Sequence, residues 1–299
     1  MSRKILFFIN PVSGTKSKLS LEKTIIRKCG EKNIAFEILF TSATGDYKFL
    51  RDKIEKDLIT DVVICGGDGS ISPVIASLLN IPIRIGILPL GSGNGLARTA
   101  GIPKSIDKAF EIIFNGKASC VDAFLINNRL SCHVCGLGFD AKVAYDFSTR
   151  KRRGLATYTL LAIKSFFSAG TYSFDVETQN DHFKAEAYLL CIANSNQFGN
   201  NFKIAPQASL TDALLDIVVL KKTTKMKILI SFVRQITAGK IKSINAEDFQ
   251  QERILYFQTP GIKIKNPEMA PLHIDGDPAP TSKEFLIEIL PAAYTLIQP

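Results

Sequence analysis

Two glycine-rich segments in this sequence have the composition of phosphate-binding loops. Residues 66–70 read GGDGS and residues 91–95 read GSGNG. Because glycine has no side chain, such segments let the backbone approach a ligand closely and direct N–H groups at phosphate oxygens. A third short polar segment, NPVSG at residues 10–14, has a similar character. These residue types favour the binding of a phosphorylated small molecule.

Each of the three segments follows a short, largely apolar run. Residues 5–9 precede 10–14, residues 61–65 precede 66–70, and residues 83–88, followed by Pro89 and Leu90, precede 91–95. These runs and a further predicted strand at 35–40 alternate with segments of helical spacing at 19–29, 47–56 and 73–79. This alternation predicts an α/β domain with a parallel sheet covered on both faces. A single glycine-rich turn is often only a turn. Three such segments at the carboxyl ends of parallel strands should converge on one ligand-binding edge of the sheet. Ser72 can cap the helix that follows 66–70, with Pro73 as its first residue.

After about residue 122 the pattern changes to short alternating or β-branched runs. Seven of them predict strands, at 124–126, 173–178, 185–192, 214–220, 254–258, 262–265 and 285–290. Two predicted helices, over 155–168 and 225–238, interrupt them. The second part is therefore expected to be β-rich, a sandwich or a barrel. Cys132 and Cys135 lie in a strand-like run without a second pair at ligand spacing, which favours reduced core thiols over a metal site.

The 299 residues include 37 Lys and Arg against 28 Asp and Glu, a net charge of +9. This excess favours an anionic partner, or is simply a solvated basic surface. Nucleic acid fits the charge, but no nucleic-acid motif accompanies it, so no such partner is expected. No apolar stretch reaches the ~20 residues of a membrane helix. The loop at 10–14 stands where a signal peptide would need a cleavage site, so we expect a cytoplasmic protein that is peripheral to the membrane.

The order of these motifs resembles the diacylglycerol kinase catalytic domain family, which includes bacterial lipid kinases, sphingosine kinases and ceramide kinases. Residues 66–70 are close to its GGDGT motif, and 10–14, 41–46 and 91–94 resemble its other nucleotide loops. Residues 136–141, 203–206, 212–216 and 274–277 resemble its later motifs. This sequence departs from the family at Gly95, where many bacterial diacylglycerol kinases have Asp, at Asp277, which replaces Glu, and at Ala213, which replaces Gly. From Ala213 we expect a backbone that avoids left-handed conformations.

The resemblance implies an α/β ATP-binding domain over 1–122, to which 291–299 returns, a β-sandwich lipid domain over 123–290, and an active site in the cleft between them. It implies an ATP- and Mg²⁺-dependent lipid kinase with Asp275 as general base, although the sequence around Asp275 by itself is typical of a turn. Asp68 is the candidate to approach Mg²⁺ on the phosphates. The residues implied to contact ATP are Asn10, Pro11, Val12, Ser13, Gly14, Thr41, Gly66, Gly67, Asp68, Gly69, Ser70, Ile71, Ser72 and Ser92, and those implied to hold a structural Mg²⁺ are Ser209, Asp212 and Leu214.

Two other functions stay open. An NAD kinase-like enzyme shares the GGDGT loop but needs an Asn-Glu pair in the second domain, which we do not find. A non-catalytic lipid-binding protein of the same fold would explain Gly95 and Asp277. The expected partner is a lipid, diacylglycerol or sphingoid-type, at an anionic membrane surface, and a homodimer is compatible with the sequence. The basic run at 150–153 before the apolar stretch 155–169 is either a membrane-facing rim or a solvated charge run.

Overall fold

The computed structural model describes residues 3–14, 18–42, 45–149, 165–166, 168–198, 203–222 and 254–299. Its contacts divide the chain into unit 1, Met1–Val121 with Ala292–Pro299, and unit 2, Asp122–Pro291. The basic run at 150–153, nearly all of the predicted helix over 155–168 and all of that over 225–238 lie outside the described residues. No helix in the described ranges is long and apolar enough to span a membrane.

Unit 1 is an α/β fold with a parallel sheet, as the alternation of elements predicted. Strand β1 lies between β2 and β3, β4 follows β3, and the C-terminal residues Thr295 and Leu296 add in parallel beside β4. Every residue of β3 is buried, as expected for a strand of a parallel sheet that is covered on both faces. The elements are β1 (Lys4–Ile9), α1 (Lys18–Glu31), β2 (Ala35–Phe40), α2 (Phe49–Asp57), β3 (Asp61–Gly66), α3 (Asp68–Leu78), β4 (Arg84–Pro89), α4 (Gly95–Thr99) and α5 (Ile106–Asn115).

Helix α3 begins five residues earlier than the sequence predicted. It starts at Asp68, directly after β3, with Gly67 as its N-cap and Pro73 inside it. The predicted N-cap role of Ser72 is therefore wrong. Ile71 and Ser72 are both buried on this helix, so packing against the core outweighs the usual placement of proline at a helix start. Helices α4 and α5 were not predicted.

Unit 2 is the predicted β-rich fold, and its ladders are antiparallel. Strand β9 is its centre, since it pairs with β7, β8 and β10. The strands are β5 (Lys117–Ile126, shared with unit 1), β6 (Arg129–Ser131), β7 (Val134–Gly138), β8 (Tyr172–Glu177), β9 (His182–Ala193), β10 (Leu215–Lys221), β11 (Ile254–Thr259), β12 (Gly261–Lys265), β13 (Leu272–Ile274), β14 (Asp277–Ala279) and β15 (Glu284–Gln298, whose end belongs to unit 1). Helix α6 (Phe139–Ser148) follows β7 and provides the strand-to-helix step that the family resemblance implied.

From Ala187 to Ala193, both faces of β9 are buried, in two separate hydrophobic clusters. Leu190 and Ile192 point into one cluster with strands β10, β12 and β15. Leu189 and Cys191 point into the other, with Ile204 and Tyr256. Because successive strand residues face opposite sides, the uninterrupted apolar run in β9 fills both clusters. Cys132 and Cys135 are buried, reduced thiols.

Candidate active site

Three loops lie side by side at the carboxyl ends of β1, β3 and β4. The Asn10 N–H donates to the Cys65 carbonyl oxygen at 3.0 Å, and the Leu90 N–H donates to that of Gly66 at 2.8 Å. The Asn10 Nδ2 donates to the Ser70 Oγ at 2.7 Å. These bonds bring residues 10–14, 66–70 and 90–95 to one edge of the sheet of unit 1. We call this set of loops the loop edge.

The glycines of the loop edge let two backbones touch. A Cβ atom on Gly91 would lie 2.6 Å from the Gly67 Cα and 2.8 Å from the Asn94 Oδ1, and one on Gly67 would lie 3.0 Å from the Gly91 Cα. Gly14, at φ +72°, would place a Cβ 2.9 Å from the Leu90 oxygen. Part of the glycine pattern is therefore required by packing between the loops.

Asn94 closes the loop at 91–94. Its Oδ1 accepts the Gly91 N–H and its Nδ2 donates to the Gly91 oxygen, both at 2.8 Å. The residue is 2% exposed and has φ +53°, a left-handed conformation that asparagine tolerates better than most residues. The closed loop directs the chain into α4.

Asp68 links two of the loops. Its Oδ2 accepts the Gly95 N–H at 3.0 Å and its Oδ1 accepts the Leu96 N–H at 3.2 Å. A carboxylate in this position stabilises the first turn of α4. Asp68 therefore has a structural function, and its approach to Mg²⁺ stays a prediction from the ligand preference of that ion.

The remaining residues expected to contact ATP differ in their exposure. Val12 is 79% exposed, and Ser92 is exposed. The Thr41 N–H donates to the Ile9 oxygen at 2.9 Å, which brings the end of β2 to the loop edge. Ile71 is 2% and Ser72 4% exposed, so their side chains belong largely to the core. Because α3 starts at Asp68, its first backbone N–H groups also lie at this edge, an arrangement that favours anions.

Asp275 occupies the turn between β13 and β14. Ile274 pairs with Asp277, so Asp275 and Gly276 form a two-residue loop, with φ of +52° and +86°. Two central residues with positive φ indicate a type I′ hairpin turn, for which Asp-Gly is a favoured sequence. The reading of this segment as a turn is confirmed.

The side chain of Asp275 is nevertheless buried and held in place. It is 5% exposed. Its Oδ1 accepts the Ser131 hydroxyl at 2.7 Å, the His133 N–H at 3.1 Å and the Val134 N–H at 3.2 Å. Three donors on one oxygen orient the carboxylate, which suits it to accept a proton in a fixed direction. Sequence reasoning missed Ser131 and His133, whose polar character within an apolar run was the available signal.

The loop proposed for a structural Mg²⁺ contains one exposed carboxylate. The Asp212 Oδ1 accepts the Leu214 N–H at 3.2 Å, and the Ser209 Oγ accepts the Thr211 N–H at 3.3 Å. Partial desolvation raises the pKa of Asp212, and the nearby Asp122 carboxylate adds to the effect. A cation would offset this repulsion, so the oxygen donors fit Mg²⁺. Within the described ranges, no three His, Cys, Asp or Glu residues are grouped to hold a metal.

Ala213 adopts the conformation that the sequence led us to exclude. Its φ is +58°, in the left-handed region. The Ala213 N–H donates to the Asp122 Oδ2 at 2.8 Å, and the Asp122 N–H donates to the Leu210 oxygen at 2.7 Å. These contacts with a residue far away in the sequence hold the strained backbone. The expectation that Ala213 avoids this region is wrong.

Ala213→Gly should stabilise unit 2, because glycine adopts positive φ without the steric cost, on the order of 1 kcal/mol, that alanine bears. Ala213→Val should destabilise it, since a β-branched side chain crowds this conformation further. Thermal melting of both variants against wild type checks the opposite signs. A glycine variant that melts below wild type would show that Ala213 is not strained.

Asp216, on β10, is a fully buried acid. The Tyr256 hydroxyl donates to its Oδ1, and the Gln258 Nε2 donates to the same atom at 3.2 Å. The Asp216 Oδ2 is buried without a partner among the described residues. Burial, which outweighs the hydrogen bonds, raises the pKa of Asp216 to about 6 from 3.8. The folded protein therefore retains this proton at a pH where the unfolded chain releases it.

Asp216→Asn should flatten the pH dependence of stability. Because the pKa of Asp216 is higher in the folded protein than in the unfolded chain, its contribution to the free energy of unfolding is largest below about pH 4. This contribution is lost as the pH rises to about 6, a change of roughly 3 kcal/mol. Asparagine keeps an acceptor for Tyr256 and has no charge to bury. Urea unfolding of wild type and variant, at several pH values between 4 and 7 and with a metal chelator in the buffer, gives the difference in the free energy of unfolding at each pH. Equal slopes for the two proteins would contradict the buried-acid account.

Comparison with known proteins gives the class to which this fold and these loops belong. Residues 4–126 match the model of the Diacylglycerol kinase catalytic domain, and residues 133–298 match that of the YegS C-terminal NAD kinase beta sandwich-like domain. Together the two models cover most of the chain, which therefore belongs to the family that combines a diacylglycerol kinase catalytic domain with a YegS C-terminal domain, and the family resemblance drawn from the sequence is confirmed. The predicted fold class, an α/β N-terminal domain followed by a β-rich sandwich C-terminal domain, is confirmed as well.

Individual relatives carry related names. The chain is 29% identical over 259 residues to a Shewanella frigidimarina protein named Probable lipid kinase YegS-like, covering 84% of this chain and 80% of the relative. It is 25% identical over 273 residues to the Diacylglycerol kinase of Bacillus subtilis, covering 90% and 88%. A crystal structure of a diacylglycerol kinase from Bacillus anthracis str. Sterne superposes with a TM-score of 0.73 at 22% identity, covering 99% and 97%. This last likeness establishes the fold.

Proposed function

We propose that this chain is an ATP-dependent lipid kinase that phosphorylates a hydroxyl group of diacylglycerol or of a sphingoid-type lipid. The observation that carries the proposal is the carboxylate of Asp275, buried to 5% exposure and held by three donors. A turn aspartate without a chemical role would normally face water, because burying a charge is costly. In a chain of this family, an oriented buried carboxylate suits a general base.

In the proposed reaction, unit 1 binds the nucleotide and unit 2 supplies the base. Backbone N–H groups of the loop edge and the start of α3 would bind the phosphates of ATP. Asp275 would accept the proton of the lipid hydroxyl. The hydroxyl oxygen of the lipid would bond to the γ-phosphorus, and the bond between the γ-phosphorus and the leaving ADP oxygen would break. The protein's part is to position these groups and to accept the proton.

Mg²⁺ is part of the proposal. When bound, it supplies positive charge that offsets the charge of the phosphate groups. Asp68 is the residue of the loop edge best suited to approach an ion on ATP, since carboxylate oxygens are ligands that Mg²⁺ prefers. Ser209, Asp212 and Leu214 would hold a structural ion in unit 2.

A transfer assay with radiolabelled ATP tests the function. Diacylglycerol, monoacylglycerol, sphingosine and ceramide are presented in mixed micelles, and NAD is included as an alternative acceptor. We expect label on at least one lipid, dependent on Mg²⁺. Label on NAD alone would replace the proposal by an NAD kinase-like activity. Binding of ATP and lipid without transfer to any acceptor would favour a non-catalytic lipid-binding protein.

The proposed substrate lies in an anionic membrane at the cytoplasmic side, and the basic run at 150–153 is proposed to contact it. Replacing Arg150, Lys151, Arg152 and Arg153 with Ser should weaken binding to vesicles with anionic lipid, since each charge contributes ~1 kcal/mol near such a surface. Activity on a short-chain, water-soluble lipid should persist. Vesicle co-sedimentation at several salt concentrations provides the measurement, because screening weakens the attraction.

The matched control removes the same charge from exposed lysines of unit 1 by replacing them with Ser: Lys23, Lys32, Lys48 and Lys56. If both sets weaken vesicle binding equally, only net charge matters. If the first set leaves vesicle binding unchanged, the run at 150–153 is a solvated surface.

A further inference from the structure

A buried histidine–aspartate pair adjoins the turn that carries Asp275. His273, on β13, is 3% exposed, and Asp140, in the first turn of α6, is 5% exposed. The His273 Nε2 lies 3.3 Å from the Asp140 Oδ2. The Asp140 Oδ1 accepts the Ala141 N–H at 2.9 Å, which orients the carboxylate.

The other ring nitrogen of His273 binds the turn itself. The Gly276 N–H donates to the His273 Nδ1 at 3.3 Å. Because Nδ1 accepts this bond, the network assigns the ring proton to Nε2, from which it is donated to Asp140. The pair therefore connects α6, through one imidazole, to the backbone of the residue that follows Asp275.

Strand β7 leaves space for this pair. Gly136 is the cross-strand partner of His273, and a Cβ atom at Gly136 would collide with the Asp140 Oδ2 and the His273 Nε2. Any other residue at Gly136 would displace the Asp140 carboxylate or the imidazole. The glycine at position 136 thus makes room for a buried polar pair at a place where apolar side chains would have a lower desolvation cost.

We propose that His273, oriented by Asp140, is a positioning residue for Asp275. This inference rests on the proposed function of Asp275 as general base. By accepting the Gly276 N–H, the imidazole holds the left-handed backbone of the turn. The fixed turn then keeps the Asp275 carboxylate aligned with its three donors, the Ser131 hydroxyl and the N–H groups of His133 and Val134. Catalysis is sensitive to such alignment, since a displacement of about 1 Å can cost ~10²-fold in rate.

Two substitutions separate the two bonds of His273. In His273→Asn, the side-chain oxygen stands near the position of Nδ1 and can accept the Gly276 N–H. In His273→Gln, the longer amide reaches toward Asp140 as Nε2 does, but no acceptor remains near Gly276. We expect the glutamine variant to lose at least ~10-fold in kcat with little change in KM, and the asparagine variant to retain several-fold more kcat than the glutamine variant.

Amide hydrogen exchange at Gly276 provides a readout that does not depend on activity. It should be faster in His273→Gln than in His273→Asn. His182→Gln is the matched control, because His182 forms a His–Asp pair with Asp175 on the surface of the same unit, where it is 59% exposed. Its kcat and KM should equal those of wild type. Asp140→Ala, which removes the other member of the buried pair, should lower kcat as His273→Gln does.

A merely structural role predicts something different. The variants would then lower the melting temperature while the folded fraction keeps wild-type kcat, and that result overturns the proposal. Equal kcat in the glutamine and asparagine variants overturns it as well. If wild type has no kinase activity, or Asp275→Asn retains full activity, the proposed function fails instead, and the exchange rates at Gly276 still report whether His273 holds the turn.

Discussion

Asp275→Asn is expected to lower turnover of the lipid substrate by ~10²–10⁴-fold, the usual contribution of a general base. The substitution keeps the shape of the side chain, and an amide oxygen can still accept the bonds from Ser131, His133 and Val134. What it removes is the ability to take a proton. Affinity for ATP should change little, because the nucleotide is proposed to bind unit 1. Single-turnover rates and calorimetric ATP titrations measure the two effects separately.

The control for this variant is Glu268→Gln, which neutralises an exposed acid in the same unit. Its turnover should equal that of wild type. If Asp275→Asn turns over at the wild-type rate, Asp275 is not the base, whatever its burial. If it loses ATP binding to the same degree as turnover, the side chain acts on the nucleotide and the assigned role is wrong.

Gly91→Ala is expected to lower ATP affinity by ~10²-fold or more, about the effect of losing one or two hydrogen bonds to a charged group. The added Cβ would lie 2.6 Å from the Gly67 Cα and 2.8 Å from the Asn94 Oδ1, so the loops at 66–70 and 91–95 must separate. That separation moves the backbone N–H groups proposed to bind phosphate and also strains the contacts of Asn94 with Gly91. ATP titration and thermal melting together measure the loss of binding and its cost in stability.

Gly30→Ala is the matched control in unit 1. Gly30 lies in α1, and a Cβ there would meet no atom within 4 Å. Alanine should stabilise the helix by roughly 0.5–1 kcal/mol and leave ATP affinity unchanged. Wild-type ATP affinity in Gly91→Ala would mean that the close approach of the two loops has no bearing on nucleotide binding.

The four strands β1 to β4 of unit 1 could be predicted from the sequence for a simple reason. Strands buried on both faces are continuous apolar runs, and the residues of β1 and β3 show this pattern locally. The glycine loops could likewise be located, because they end these runs. The start of α3 could not, since Ile71 packs in the core and its burial depends on residues outside the local segment. Proline at position 73 was a misleading local signal.

The sequence by itself determined the fold class and the order of the loops, because hydrophobic periodicity and loop composition are properties of short segments read in order, and the family followed from the resemblance of these motifs to known ones. Only the tertiary structure decided how the candidate base is held. Asp275 binds Ser131, His133 and Val134, which are more than 140 residues away along the chain. The same holds for Ala213, whose left-handed backbone is held by Asp122, 91 residues distant. Such contacts depend on which strands become neighbours, and no local pattern of residue types encodes that choice.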